Sequence, residues 1–223
     1  MVNIRAAGGK TTFCIPFELL APVSNYFNDA LNNEFPEGRS YDFTFMENCT
    51  DDVLQLFTSW AYLNSKSNSV HRSCALLDPV DSENFDGAIW ARAWLFGDYI
   101  QAIDFQNAMM KVLFDQWRSL DVSDIMEIVW HHVPVGSPLD RIILESLCYA
   151  VQEQRECGRT MEVLGADSIQ NIPVHAAVEL AIRLTSRIVD RTWDPDAPTR
   201  QRRSWSWLRL EDFLIPNETR NPK

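Results

Sequence analysis

Apolar residues recur every three or four positions over long stretches of the chain and every second position over short ones, a contrast that separates helices from strands. Val53, Leu56, Phe57, Trp60 and Leu63 make one such stripe. Thr50 precedes it as an N-cap, and Asp51 and Asp52 favour a helix N-terminus by charge, so a helix starts near residue 51. The same period places Ile89, Ala93, Phe96 and Ile100 on one helix and Phe105, Ala108, Met109, Val112 and Leu113 on the next, divided near Asp104. Strict alternation marks YDFTFM, with Tyr41, Phe43 and Phe45 on one face of a half-buried strand. VNIRA (2–6) and TTFCI (11–15), separated by Gly8-Gly9, read as a short hairpin.

Between hairpin and strand lies FELLAPVSNYFNDAL. Pro22 cannot sit inside a continuous helix, because it lacks a backbone donor and clashes with the preceding turn. Two short helices result. Pro16 suits the first turn of one, which Pro22 closes; Ser24 caps the other, which carries Phe27, Ala30 and Leu31 on one face.

Residues 64–86 have loop composition, with room for one short strand at Ala75 to Leu77. Farther on, SDIMEIVWHH is helical, VPVGSPLDR is a break, and Ser137 with Pro138 fits N-cap and N1 of a helix bearing Leu139, Ile142, Ile143 and Leu147. A last helix from about Pro173 uses Val174, Ala177, Val178, Ala181, Leu184 and Ile188 as its apolar stripe. Beyond Trp193, prolines and arginines suggest a tail without a core of its own.

The 223 residues suffice for one good core with an appendage or for two small domains. A formal net charge of −11 repels phosphate backbones and anionic membrane surfaces, which makes nucleic acid an unfavoured partner. MVNIRAAGGKTTFCI has no signal-peptide pattern, and no run reaches the ~18 apolar residues of a spanning helix, so a soluble protein of cytoplasm or nucleus is expected. Cys14, Cys49, Cys74, Cys148 and Cys157 are scattered and odd in number, as reduced structural thiols are.

Candidate chemistry is sparse. Gly9-Lys10-Thr11 ends like a phosphate loop, but Ile4 stands where the first glycine is needed, so a hairpin turn is the better reading. His131-His132, His71, Cys74, Cys148 and Cys157 do not supply two paired spacings for zinc. No nucleophile elbow or glycine-rich cofactor loop occurs, and Asp51-Asp52 and Glu211-Asp212 read as cap and surface charge; neither catalytic, cofactor nor metal residues are assigned. In RQRRSWSWLRLEDFLIP (200–216), Arg202, Arg203, Trp205 and Trp207 suit either a nuclear-import or nucleic-acid patch, or a tail whose Trp205, Trp207, Leu208, Leu210 and Phe213 dock on the chain's own helices. Docking is the preferred expectation.

The order hairpin, two short helices, strand, long helix, helical pair resembles the BTB/POZ fold. Phe13, Leu19, Leu20, Ser24, Tyr26 and Phe27 look like that family's opening signature. LFTSWAYLNSK (56–66) and WARAWLFGDYIQAIDFQNAMMKVL (90–113), with Asp98 and Tyr99, resemble its later helices, and VPVGSPLDRIILE (133–145) is similar to a segment following the core in many fungal members.

The resemblance implies an α+β BTB/POZ domain at 1–118, a helical extension at 119–190 and a tail at 191–223. It further implies a non-enzymatic protein–protein interaction module, with protein partners that include a cullin scaffold of ubiquitin ligases and homo-oligomers. Family members recruit cullins through a hydrophobic-x-Glu motif, which Phe35-Pro36-Glu37 resembles. The alternative is a nuclear or chromatin-associated factor working through the Arg/Trp-rich tail.

Overall fold

The computed structural model describes residues 1–32, 40–45, 49–65, 86–117, 122–156, 172–192 and 209–216. The architecture is α+β: among the described residues, eight α-helices accompany one three-stranded sheet. The chain forms two compact units, Met1–Asp115 with Ile215–Lys223, and Gln116–Leu214.

In the first unit, β1 (Val2–Ala6) pairs antiparallel with β2 (Phe13–Ile15) and parallel with β3 (Asp42–Phe45), giving the order β2-β1-β3. Val2, Ile4, Ala6, Phe43 and Phe45 alternate inward, as period-two patterning requires. Tyr41 departs from the expected face. Its φ of 57° breaks the alternation just before β3, so its side chain is exposed although its carbonyl accepts the Asn3 amide at 2.7 Å.

Two short helices follow the hairpin, α1 (Phe17–Leu20) and α2 (Asn25–Asn32), divided at Pro22 as the proline dictates. Helix α3 (Asp51–Ser65) begins with the Val53 amide donating to Thr50 Oγ1 at 3.3 Å. Helices α4 (Gly87–Tyr99) and α5 (Ile103–Asp115) pack against each other and are joined at Ile100–Ala102, where Gln101 has a φ of 54°; Asp104 falls in the first turn of α5 rather than at the break. A Cβ at Gly97 would stand 2.7 Å from Gln106 Cγ, so the small residue permits this close helix contact.

Leu20, Phe27, Phe43, Phe57, Trp60, Ala93 and Ile100 are buried in this unit, whereas Phe13 and Leu19 of the signature are half-buried. Leu54 is also buried, beside the stripe read from sequence.

The second unit holds α6 (Val122–His132), α7 (Pro138–Glu156), α8 (Val174–Thr192) and a 3-10 turn, Leu210–Phe213. Gly136, with φ of 79°, makes the turn that only glycine adopts cheaply. Ser137 Oγ then accepts the Asp140 amide at 3.2 Å, and Asp140 Oδ2 accepts the Gly136 amide at 2.8 Å, a reciprocal cap that starts α7. Leu139, Ile142, Ile143 and Leu147 are buried, as expected.

Helix α8 is a correction. Val174, Ala177, Val178 and Ala181, read as its apolar stripe, are exposed rather than packed, and Leu184 is half-buried; the Ile188 side chain lies outside the described residues. The face bearing Ala176, Leu180 and Arg183 turns toward the unit instead, with Ala176 buried and Arg183 reaching Glu145 of α7. The side that packs is mixed: Ala176 is buried, Leu180 and Leu184 are half-buried, and Arg183 pairs with Glu145.

Candidate protein-interaction surface

An aromatic chain runs from the centre of the first unit to its surface. Phe57 contacts Phe27, Trp60, Phe96 and Phe105 at ring-centroid distances of 6.2, 6.2, 5.5 and 5.2 Å. Phe45 meets Phe96 edge-on at 5.0 Å. Tyr26 then packs on Phe27, Phe43 and Phe45, and Tyr99 on Tyr26 at 5.6 Å and on Phe45 at 6.0 Å. Tyr99 is 62% exposed at the last residue of α4.

The Tyr99 ring is thus braced by two rings while much of the residue meets water. A braced, exposed aromatic loses little conformational entropy on binding and suits an interface anchor. Beside it, Asp98 Oδ1 accepts Gln106 Nε2 at 3.2 Å, fixing the end of α4 to α5.

Phe35, Pro36 and Glu37 lie outside the described residues, as do Arg202, Arg203, Trp205 and Trp207. Of the tail expected to dock, Leu210–Phe213 is in contact with α7: Phe213 is buried, the Arg141 guanidinium sits 4.9 Å from its ring centroid, and Arg141 donates to the Asp212 carbonyl. Leu210 is half-buried. Ile215 belongs to the first unit, where the Asn107 carboxamide accepts its amide at 2.8 Å and donates to its carbonyl at 3.0 Å.

The phosphate-loop look-alike is occupied by the chain itself. Asp51 Oδ2 accepts the amides of Lys10 and Thr11 at 3.0 and 3.2 Å, so these donors serve a carboxylate from the start of α3. Burial pushes the Cys49 thiol up to about 12, the Asp51 charge adding to it, which disfavours the reactive thiolate. His131 and His132 are exposed at the end of α6 and Cys148 is buried; among the described residues no three His, Cys, Asp or Glu side chains gather as metal ligands. His71, Cys74 and Cys157 lie outside the described residues, as does the strand expected at Ala75 to Leu77.

The role of Tyr99 as a surface aromatic is foreshadowed in the sequence only by its place off the Ile89, Ala93, Phe96, Ile100 stripe. Its support by Tyr26, distant in sequence, has no local signal. Among the described residues, no helix is long and apolar enough to cross a membrane. No family model, curated protein or solved structure matches the chain.

Proposed function

We propose that this chain is a non-enzymatic protein–protein interaction module with a BTB/POZ-type core, acting as an adaptor that recruits a cullin scaffold. The observation that carries the reading is Tyr99, an exposed aromatic braced by Tyr26 and Phe45, since such rings are favoured anchors of protein interfaces. The order β2-β1-β3 followed by α3, α4 and α5 is in keeping with the element order on which the resemblance rests. Cullin recruitment is assigned to Phe35-Pro36-Glu37, the segment that follows α2, with the aromatic filling a pocket and the carboxylate meeting a donor at its rim.

The test is capture of the organism's own cullin by the wild-type chain, by a Phe35→Ala, Glu37→Ala double variant and by Tyr99→Ala, each checked for unchanged melting. Wild-type capture, loss in the double variant and at least about tenfold weakening by Tyr99→Ala, the size of one modest anchor, are expected. No wild-type capture, or capture indifferent to both changes, overturns the recruitment reading.

A further inference from the structure

Helix α8 presents Val174, Ala177, Val178, Ala181 and Ile182 to solvent, with Val174 81%, Val178 53% and Ile182 55% exposed. Of the charged side chains in this stretch, Arg183 reaches inward to α7, and Glu179, 44% exposed, pairs with it outside the apolar set. Arg183 donates to Glu179 at 2.8 Å and to Glu145 of α7, and Glu145 is buried. Burial by itself would lower the Arg183 pKa, but the Glu179 hydrogen bond and the Glu145 charge outweigh it and hold the guanidinium above its ordinary value. Buried Ala176 and the Arg183–Glu145 pair together mark the inward face of α8.

We propose that this outward face is the seam of an antiparallel homodimer, α8 against α8 of a second copy. Three observations select a second copy. First, the face carries no Asp, Glu, Lys or Arg, although the chain as a whole has a net charge of −11. A basic or acidic partner finds nothing to pair with there, whereas two acidic copies meet where their like charges are absent.

Second, Val174, Val178, Ala181 and Thr185 follow the 4-3-4 spacing of a helix–helix seam, and all four are exposed. A two-fold axis through the middle of this set places Val178 opposite Ala181 of the second copy and Val174 opposite Thr185 of the second copy. A larger side chain then faces a smaller or polar one at each level, so the pattern complements itself as an isologous interface must. Ala177 and Ile182 flank the seam.

Third, the area sets the strength. About twelve residues rising ~1.5 Å each, on a helix ~10 Å across, offer on the order of 400 Å² per copy once side-chain relief is included. The pair buries about 800 Å², below the ~1,200 Å² of a standard stable interface, so the dimer exchanges with monomer, with a Kd between about 1 μM and 1 mM.

Sedimentation equilibrium of the full chain over that concentration range is the test. Monomer–dimer exchange is expected, strengthening as salt rises from ~50 to ~300 mM because screening relieves repulsion between the acidic bodies. Val178→Lys and Ala181→Glu variants, both on exposed positions, should each weaken self-association by about tenfold or more. Their equimolar mixture should restore it, because the introduced ammonium of one variant then faces the introduced carboxylate of the other across the seam. Circular dichroism confirms that both variants remain folded. A chain monomeric up to ~1 mM, a dimer indifferent to both substitutions, or a mixture no tighter than its components overturns the proposal.

Discussion

Ser24 ties α2 to the end of α4: its hydroxyl donates to the Ile100 carbonyl at 2.6 Å and accepts the Phe27 amide at 3.2 Å. One buried side chain thus caps a helix and satisfies a carbonyl 76 residues away in sequence. Both partners lie where water cannot readily replace the hydroxyl.

Ser24→Ala takes the hydroxyl acceptor from the Phe27 amide and leaves the Ile100 carbonyl with only the longer bond from the Tyr26 amide at 3.4 Å. A loss of about 1–3 kcal/mol follows, since an unmet buried polar group costs its full desolvation. Denaturant titration should show a lower midpoint with an unchanged slope.

Phe57 touches four rings from α2, α3, α4 and α5, which makes it the hub of the aromatic core. Phe57→Ala should cost about 3–5 kcal/mol, and Trp60→Ala a similar amount, through lost burial and the cavity left behind. Variants that melt like the parent would show that these rings do not share one core.

Much of this is legible in the sequence because helices announce their caps and stripes locally. Ser24, Thr50 and the Ser137-Pro138 pair each sit where a short polar residue can meet an amide two or three positions on, and the structure uses all three helix starts. Periodicity, however, states which residues share a face and not what lies opposite that face. The α8 stripe is real, yet the side that packs is the one with Ala176 and with Arg183, which pairs with Glu145, 38 residues away. Tyr41 misleads for a related reason: the alternation in the sequence runs one residue beyond the strand, into a position whose positive φ turns the side chain outward. Asp51 reads as helix charge, which does not reveal that it also serves amides 40 and 41 residues earlier.

Cys49 yields a pH prediction. Burial and then the nearby Asp51 charge raise its thiol from 9.0 to about 12 in the folded chain. Below about pH 9 the thiol is protonated in both folded and unfolded chains, and the linkage is silent. From about pH 9 toward about pH 12 the unfolded chain releases this proton first, so stability falls as pH rises. Cys49→Ala should flatten that decline relative to the parent. Pulse alkylation at about pH 8, mapped by peptide mass, should label exposed Cys14 well before Cys49; equal rates would contradict the protection.

Gly9 and Asp51 form the last testable pair. A Cβ at Gly9 would lie 2.1 Å from Asp51 Oδ1 and 3.0 Å from its Cγ. That carboxylate cannot simply swing away, because its other oxygen accepts the Lys10 and Thr11 amides. Gly9→Ala should therefore destabilise by about 1–3 kcal/mol, as overpacking does. Asp51→Ala should destabilise as well, by freeing two amides and removing a favourable charge from the start of α3. The double variant has no carboxylate for the new methyl group to strike, so its cost should fall short of the summed single costs by at least about 0.5 kcal/mol. Strict additivity in a denaturant-monitored double-mutant cycle would mean that the hairpin loop and α3 do not meet through this contact.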